Sequence, residues 1–203
     1  MAKVYPKRSM IEGCSDDEGY SSSTREIFTV WMKSLVINGN GCTVFNSQGD
    51  VVFRVDNYQT KSTTETLLMN LHGQVLFSIR RKKLVFFKWW EGRKWNNSKV
   101  DRDGTWFKVK KKWKVFASQF VSCHVVLRCN NVTIMLKILG FQRKLMFKIM
   151  DNEGRVLAEV IGKQTAGGVA LGDDVLTLVV EPQVDQALVM ALVITYAMLN
   201  KKM

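Results

Sequence analysis

From Ile27 onward the apolar positions recur with a period of two. Val51-Val52-Phe53-Arg54-Val55, Val75-Leu76-Phe77-Ser78-Ile79, Val125-Val126-Leu127 and Leu176-Thr177-Leu178-Val179-Val180 are short, β-branched or aromatic runs separated by Gly, Asn or Asp. Such runs predict β-strands. Pro6 and Pro182 are the only prolines of the chain. This suits long sheet ladders, because proline removes a backbone donor.

A short unit recurs among these strands. Asn46-Ser47-Gln48-Gly49-Asp50, Asn70-Leu71-His72-Gly73-Gln74 and Asp151-Asn152-Glu153-Gly154-Arg155 each precede an apolar strand. Asn or Asp at the first turn position can bond its own backbone, and Gly three residues on accepts a left-handed conformation. The three segments predict hairpins of one kind with positive φ at Gly49, Gly73 and Gly154. The third opens the second half of the chain and hints at an internally duplicated sheet.

The strand pattern ends at Glu181-Pro182. From about Val184 to Leu199 the residues are apolar on every side, with Pro182 and Asp185 as start signals and Asn200-Lys201-Lys202 as a polar, cationic end. A helix apolar all round must be enclosed or sit in lipid. Its central thirteen residues, Ala187 to Leu199, would reach about 20 Å at 1.5 Å each, short of a hydrocarbon core of about 30 Å. Enclosure in protein is therefore expected. The pattern predicts a mainly β fold, a closed antiparallel β-barrel whose lumen is filled by its own C-terminal helix.

Composition adds the domain organisation. The chain has 203 residues, 46% hydrophobic and 24% charged, enough for one domain with a substantial core. Residues 1–26 contain the acidic, Ser-rich stretch Gly13-Cys14-Ser15-Asp16-Asp17-Glu18-Gly19-Tyr20-Ser21-Ser22-Ser23-Thr24-Arg25-Glu26 and are read as a flexible tail with candidate phosphorylation sites. Residues 27–203 form the barrel domain. The N-terminus has no apolar h-region, and Cys14, Cys42, Cys123 and Cys129 lack CxxC spacing. An intracellular protein with reduced thiols, in cytoplasm or nucleus and without a transmembrane span, is expected.

The same residues carry a resemblance. Val30-Trp31-Met32-Lys33-Ser34-Leu35, Gly39-Asn40-Gly41-Cys42-Thr43-Val44-Phe45, Arg54-Val55-Asp56-Asn57-Tyr58, Leu76 to Lys83, and Leu171-Gly172-Asp173-Asp174-Val175 through Pro182 resemble the plant LURP-one-related family. The resemblance runs from about residue 28 to 200 and is weaker across 88–120. It implies a tubby-like, phospholipid scramblase-like barrel of about twelve strands threaded by a hydrophobic helix. It also implies a membrane-tethered regulator, with some plant members associated with pathogen defence. It supplies no catalytic motif, and tubby's phosphoinositide-binding residues have no residue-by-residue counterpart here.

Enzyme chemistry finds little footing. Cys123 and His124 are adjacent in a strand, so their side chains should face opposite ways. His72 falls in a predicted turn, and the cysteines and two histidines lack zinc-ligand spacing. Gly39-Asn40-Gly41 and Gly162-Lys163-Gln164 lack the remaining features of nucleotide loops. Asp173-Asp174 beside Gly172 predict a turn more readily than a cation site. No cofactor, metal or catalytic residue is assigned, and a non-enzymatic module is expected.

Charge points elsewhere. The formal net charge is +12, and residues 80–114 hold 14 Lys and Arg against Glu91, Asp101 and Asp103. Period two places Lys108, Lys110, Lys112 and Lys114 on one strand face, opposite Phe107, Val109, Trp113 and Val115. Together with Arg80, Arg81, Lys82 and Lys83 they are the candidate anion-binding or lipid-binding residues. Trp89, Trp90, Trp95 and Trp106 nearby suit a membrane interface or single-strand base stacking. Three readings follow: docking on anionic, phosphoinositide-rich membrane, nucleic-acid binding through the same face, or a protein-interaction scaffold. The plainest alternative for the lysine row is a solvated edge strand guarded against pairing.

Overall fold

Alternation along the chain sorts most strands into a buried inward row, chiefly apolar, and a more exposed outward row. In the computed structural model, residues 20–33, 41–59, 64–84, 87–96, 99–100, 105–112, 120–129, 132–141, 144–165 and 167–200 are described. The first strands are β1 (Glu26–Trp31), β2 (Gly41–Phe45), β3 (Val51–Gln59), β4 (Thr64–Asn70), β5 (Val75–Leu84) and β6 (Phe87–Asn96). After the two-residue β7 (Lys99–Val100) come β8 (Phe107–Lys111), β9 (Phe120–Cys129) and β10 (Val132–Phe141). The last are β11 (Phe147–Met150), β12 (Val156–Gly162) and β13 (Val175–Val180).

Each strand pairs antiparallel with its neighbour in sequence, except that β6 pairs onward to β8 and β7 hangs from β6 alone. The ring closes where β13 returns to β1, in register from Glu26↔Val180 to Trp31↔Val175. Leaving β7 aside, twelve strands make a closed up-and-down barrel. Closure removes the sheet edges that an open sheet would expose. β10 shows the sorting plainly: Ile134, Leu136 and Ile138 are buried, while Met135, Lys137 and Leu139 face out.

Inside runs α1 (Gln186–Leu199), and every residue from Ala187 to Ala197 is buried. The helix starts two residues after the expected Val184. Asp185 is its N-cap, accepting a hydrogen bond from the Leu188 amide at 2.9 Å. Its polar side chains are satisfied in place. The Thr195 hydroxyl donates to the Ala191 carbonyl at 2.8 Å, and Tyr196 Oη donates to the Phe141 carbonyl at 3.3 Å. Gly140 makes room for that phenol, since a Cβ there would lie 2.4 Å from Tyr196 Oη. The Tyr196 ring packs on Phe147 with centroids 4.1 Å apart, and burial pushes the phenol pKa up to about 12.

The three repeated turns have one geometry. Asn46 Oδ1 accepts from the amides of Gln48 (3.0 Å) and Asp50 (2.8 Å). Asn70 Oδ1 bonds the amides of His72 and Gln74, and Asp151 Oδ1 those of Glu153 and Arg155, in the same two positions. Gly49, Gly73 and Gly154 have φ of 91°, 75° and 83°, as the unit predicts. A register shift immediately precedes each turn, at Val44/Phe45, Leu68/Met69 and Ile149/Met150. A fourth member went unread: Thr165 Oγ1 accepts from the Val169 amide, and Gly168 (φ 78°) bonds back to the Thr165 carbonyl.

Contacts reach into the segment read as tail. Tyr20 stacks near Phe53 at 5.6 Å and its Oη accepts from Asn70 Nδ2 at 3.2 Å. The Gln183 amide bonds the Ser22 carbonyl, and Arg25 pairs with Glu181 at 2.8 Å. The body of the domain thus extends back to Tyr20, before the Ile27 boundary, because an aromatic ring within a polar stretch finds its own apolar seat. Residues 1–19 lie outside the described residues.

Because strands alternate in direction, the turns at 46–50, 70–74 and 151–155 gather at one end, here called the turn end. The opposite, open end carries the last residues of β5, β8 and β10, the first of β6 and β9, and the 163–174 connection. α1 enters from the turn end after β13 and points its C-terminus toward the open end, where Met198 Sδ accepts from the Thr66 hydroxyl at 3.3 Å.

Candidate anion-binding surface

Two basic clusters about thirty residues apart in sequence meet on one wall because β6 lies between β5 and β8. Arg80 on β5 faces Glu91 on β6, which faces Lys108 on β8. One rung nearer the open end, Lys82 faces Trp89, and Lys110 Nζ sits 5.9 Å from the Trp89 ring. Arg80, Lys82, Lys108, Lys110 and Lys112 therefore share the outward face. Phe107 and Val109 are buried on the inward one, as the alternation predicts. Lys114, with Trp113 and Val115, lies outside the described residues.

Arg81 and Lys83 cannot share that face, since successive strand residues point to opposite sides. They have inward parity, as do Lys88, opposite Lys83, and Lys111, opposite Cys123. All four are nevertheless exposed, because they sit where the lumen opens. Lys88 and Lys111 escaped sequence reasoning, which equated inward parity with core. The run Lys110-Lys111-Lys112 was the signal that could have found Lys111.

Two of the outward cations already have carboxylate partners. Arg80 makes a bidentate pair with Glu65, both contacts at 2.8 Å, which raises its pKa. Lys108 Nζ lies 3.3 Å from Glu91. Burial opposes ionisation of Glu91, but the Trp89 indole N–H at 2.7 Å, Lys108 and nearby Lys82 outweigh it. The carboxyl is held below its ordinary range. Among the described residues, the positive charge without an ion-pair partner therefore shifts toward the open end: Lys82, Lys110 and Lys112 outside, Arg81 and Lys83 at the mouth. There it lies near the carbonyl end of α1, whose macrodipole favours cations.

Other expectations are refined. β8 is hydrogen-bonded on both sides, to β6 and β9, so the edge-strand reading of the lysine row is wrong. Trp90 and Trp106 belong to the core rather than to an interface, and Trp106 lies under Lys94 Nζ at 5.0 Å. Cys123 is buried while His124 faces out, as adjacency requires. Burial raises the thiols of Cys42 and Cys123 to about 12, too high for nucleophiles at neutral pH. His72 is exposed in its turn. Asp174 accepts the Met32 amide through its carbonyl and pairs with Lys33 at 3.0 Å, so this acidic pair serves a turn. Among the described residues no group of His, Cys, Asp or Glu could hold a metal ion, and no helix is long and apolar enough to cross a membrane.

Comparison with known proteins bears on this geometry. A family profile described as LURP-one-related matches residues 26–197. Protein LURP-one-related 3 of Arabidopsis thaliana is 42% identical over 191 residues, covering 91% of this chain and 84% of the relative. Protein LURP-one-related 11 of the same plant is 38% identical, covering 98% and 89%. An Arabidopsis thaliana protein solved by X-ray crystallography superposes with a TM-score of 0.61 at 15% identity, over 92% of this chain and 98% of that one. That likeness supports the fold, and the profile match and the identities place this chain in the LURP-one-related family.

Proposed function

We propose that this protein is a non-enzymatic regulatory module that docks peripherally on anionic phospholipid head groups, phosphoinositide-rich membrane above all. The observation that carries the reading is the convergence of cations from β5 and β8, in excess of carboxylates among the described residues, at the open end of one barrel wall. Each Lys or Arg near an anionic leaflet contributes about 1 kcal/mol and acts within a Debye length, so such docking is additive and salt-dependent. The tubby-like and scramblase-like relationship implied by the sequence fits a membrane-tethered regulator, and a part in plant defence belongs to the same reading. Nucleic-acid binding through this wall is the competing class. It draws less support, because Trp90 and Trp106, two of the four tryptophans expected to stack on bases, are buried.

Flotation with phosphoinositide-containing vesicles, run beside an oligonucleotide binding assay at two salt concentrations, tests the proposal. Wild type should bind vesicles more tightly, and the triple variant Lys82→Glu, Lys110→Glu, Lys112→Glu should lose that binding while unfolding at the same temperature. Tighter binding to the oligonucleotide would transfer the wall to nucleic acid. Indifference to both polyanions would leave the scaffold reading.

A further inference from the structure

The outward row that carries Lys82, Lys110 and Lys112 does not end in charge. Leu84, two residues beyond Lys82 on β5, is 62% exposed. Past β8, the Lys112 amide bonds the Ser122 carbonyl at 2.8 Å, which sets Lys112 beside the start of β9. There Phe120 is 49% exposed and faces Phe141 of β10, itself 41% exposed, with ring centroids 5.0 Å apart. Leu84, Phe120 and Phe141 all have outward parity and all lie at the open end. Among the described residues, the outward row of this rim from β5 to β10 thus has apolar side chains at both flanks and lysines between them.

Resting on the docking reading above, we infer that this rim is the part that enters the bilayer. Leu84 on one side and the Phe120–Phe141 pair on the other insert at the level of the head groups, while Lys82, Lys110 and Lys112 hold anionic phosphates between them. The chemistry matches an interface, where apolar side chains supply burial and neighbouring cations supply attraction to anionic lipid. Apolar exposure alone does not choose this end. Leu71 (62%) and Val132 (56%) are also exposed at the turn end, but there Arg155 is held by Asp151 and Glu153, and among the described residues that end shows no row of exposed lysines like Lys82, Lys110 and Lys112. The barrel therefore stands on its open end, with the turns at 46–50, 70–74 and 151–155 facing away from the membrane.

Two measurements test this with vesicles of phosphatidylcholine containing about one-fifth phosphatidylserine. In co-sedimentation, Leu84→Ser, Phe120→Ser, Phe141→Ser should bind at least tenfold more weakly than wild type, yet elute from heparin at the same salt. In a Cys14→Ser background, an environment-sensitive dye at Leu84→Cys should shift to the blue on vesicle addition, and the same dye at Gln48→Cys should not. The dye experiment needs no triple variant, so it stands even if that variant folds poorly. A wild type that binds vesicles while the dye at position 84 stays in water, or while the triple variant binds equally, overturns the insertion and spares the docking. A wild type that ignores these vesicles and phosphoinositide vesicles alike overturns both.

Discussion

At the turn end the barrel reverses direction three times through one five-residue unit, and its side chains are occupied by their own backbone. Asn46, Asn70 and Asp151 each bind two amides, and Arg155 returns to Asp151 at 2.6 Å. At the open end, Lys82, Lys110 and Lys112 instead crowd on one wall beside apolar Leu84, Phe120 and Phe141. The contrast separates residues that specify the fold from residues that the fold merely displays. Charge used locally is structural, whereas charge massed without matching carboxylates is repulsive until a partner arrives.

The two ends share α1, so the most severe test of their independence is to damage it. Leu192→Asp leaves an unpaired charge in the lumen and should cost about 4 kcal/mol or more, enough to abolish cooperative unfolding in a denaturant titration. Damage confined to the basic wall should be smaller. A Cβ at Gly92 would lie 2.0 Å from the Phe107 ring, so Gly92→Ala should cost about 1–3 kcal/mol in the same titration.

At the turn end, Gly49→Ala and Gly154→Ala meet no atom within 4 Å, so positive φ alone should set an equal cost of about 1 kcal/mol each. Unequal values would break the equivalence of the repeated turns. Glu91 supplies a pH test. Its folded pKa is depressed, so its stabilisation is present above the unfolded carboxyl value of about 4.3 and fades as pH falls through the folded one. Glu91→Gln should flatten the acid limb of stability against pH, measured by unfolding midpoints between about pH 6 and 3. The smallest effect is expected from Lys82→Glu, Lys110→Glu, Lys112→Glu, whose stability should stay within about 0.5 kcal/mol of wild type while vesicle binding is lost.

Features specified by local chemistry were legible in the sequence. The three Asx-type turns, the Asp185 cap and the outward parity of Lys108 and Lys110 follow from residues a few positions apart. What escaped depends on strands meeting across sequence. β8 looked like an edge because its partner β6 lies in the irregular Lys- and Trp-rich stretch. Glu65 and Glu91 neutralise Arg80 and Lys108 only once β4, β5, β6 and β8 are aligned. The turn at Thr165 was missed because a hydroxyl there replaces the amide or carboxylate oxygen of the other three. Tyr20 was assigned to the tail because its seat on Phe53 is thirty-three residues away.

The up-and-down order of the ring bears on how the protein is made. Every ladder but one joins strands that emerge close together, so most of the sheet can form from local pairings, which fold quickly. The exception, β1 with β13, waits for nearly the whole chain, and α1 follows every strand. Until that helix leaves the ribosome the sheet is an unfilled curl with two bare margins and an apolar concave surface, a state prone to sticking. A chaperone that holds the curl open, then lets the helix enter as the margins join, would act at the step on which yield depends.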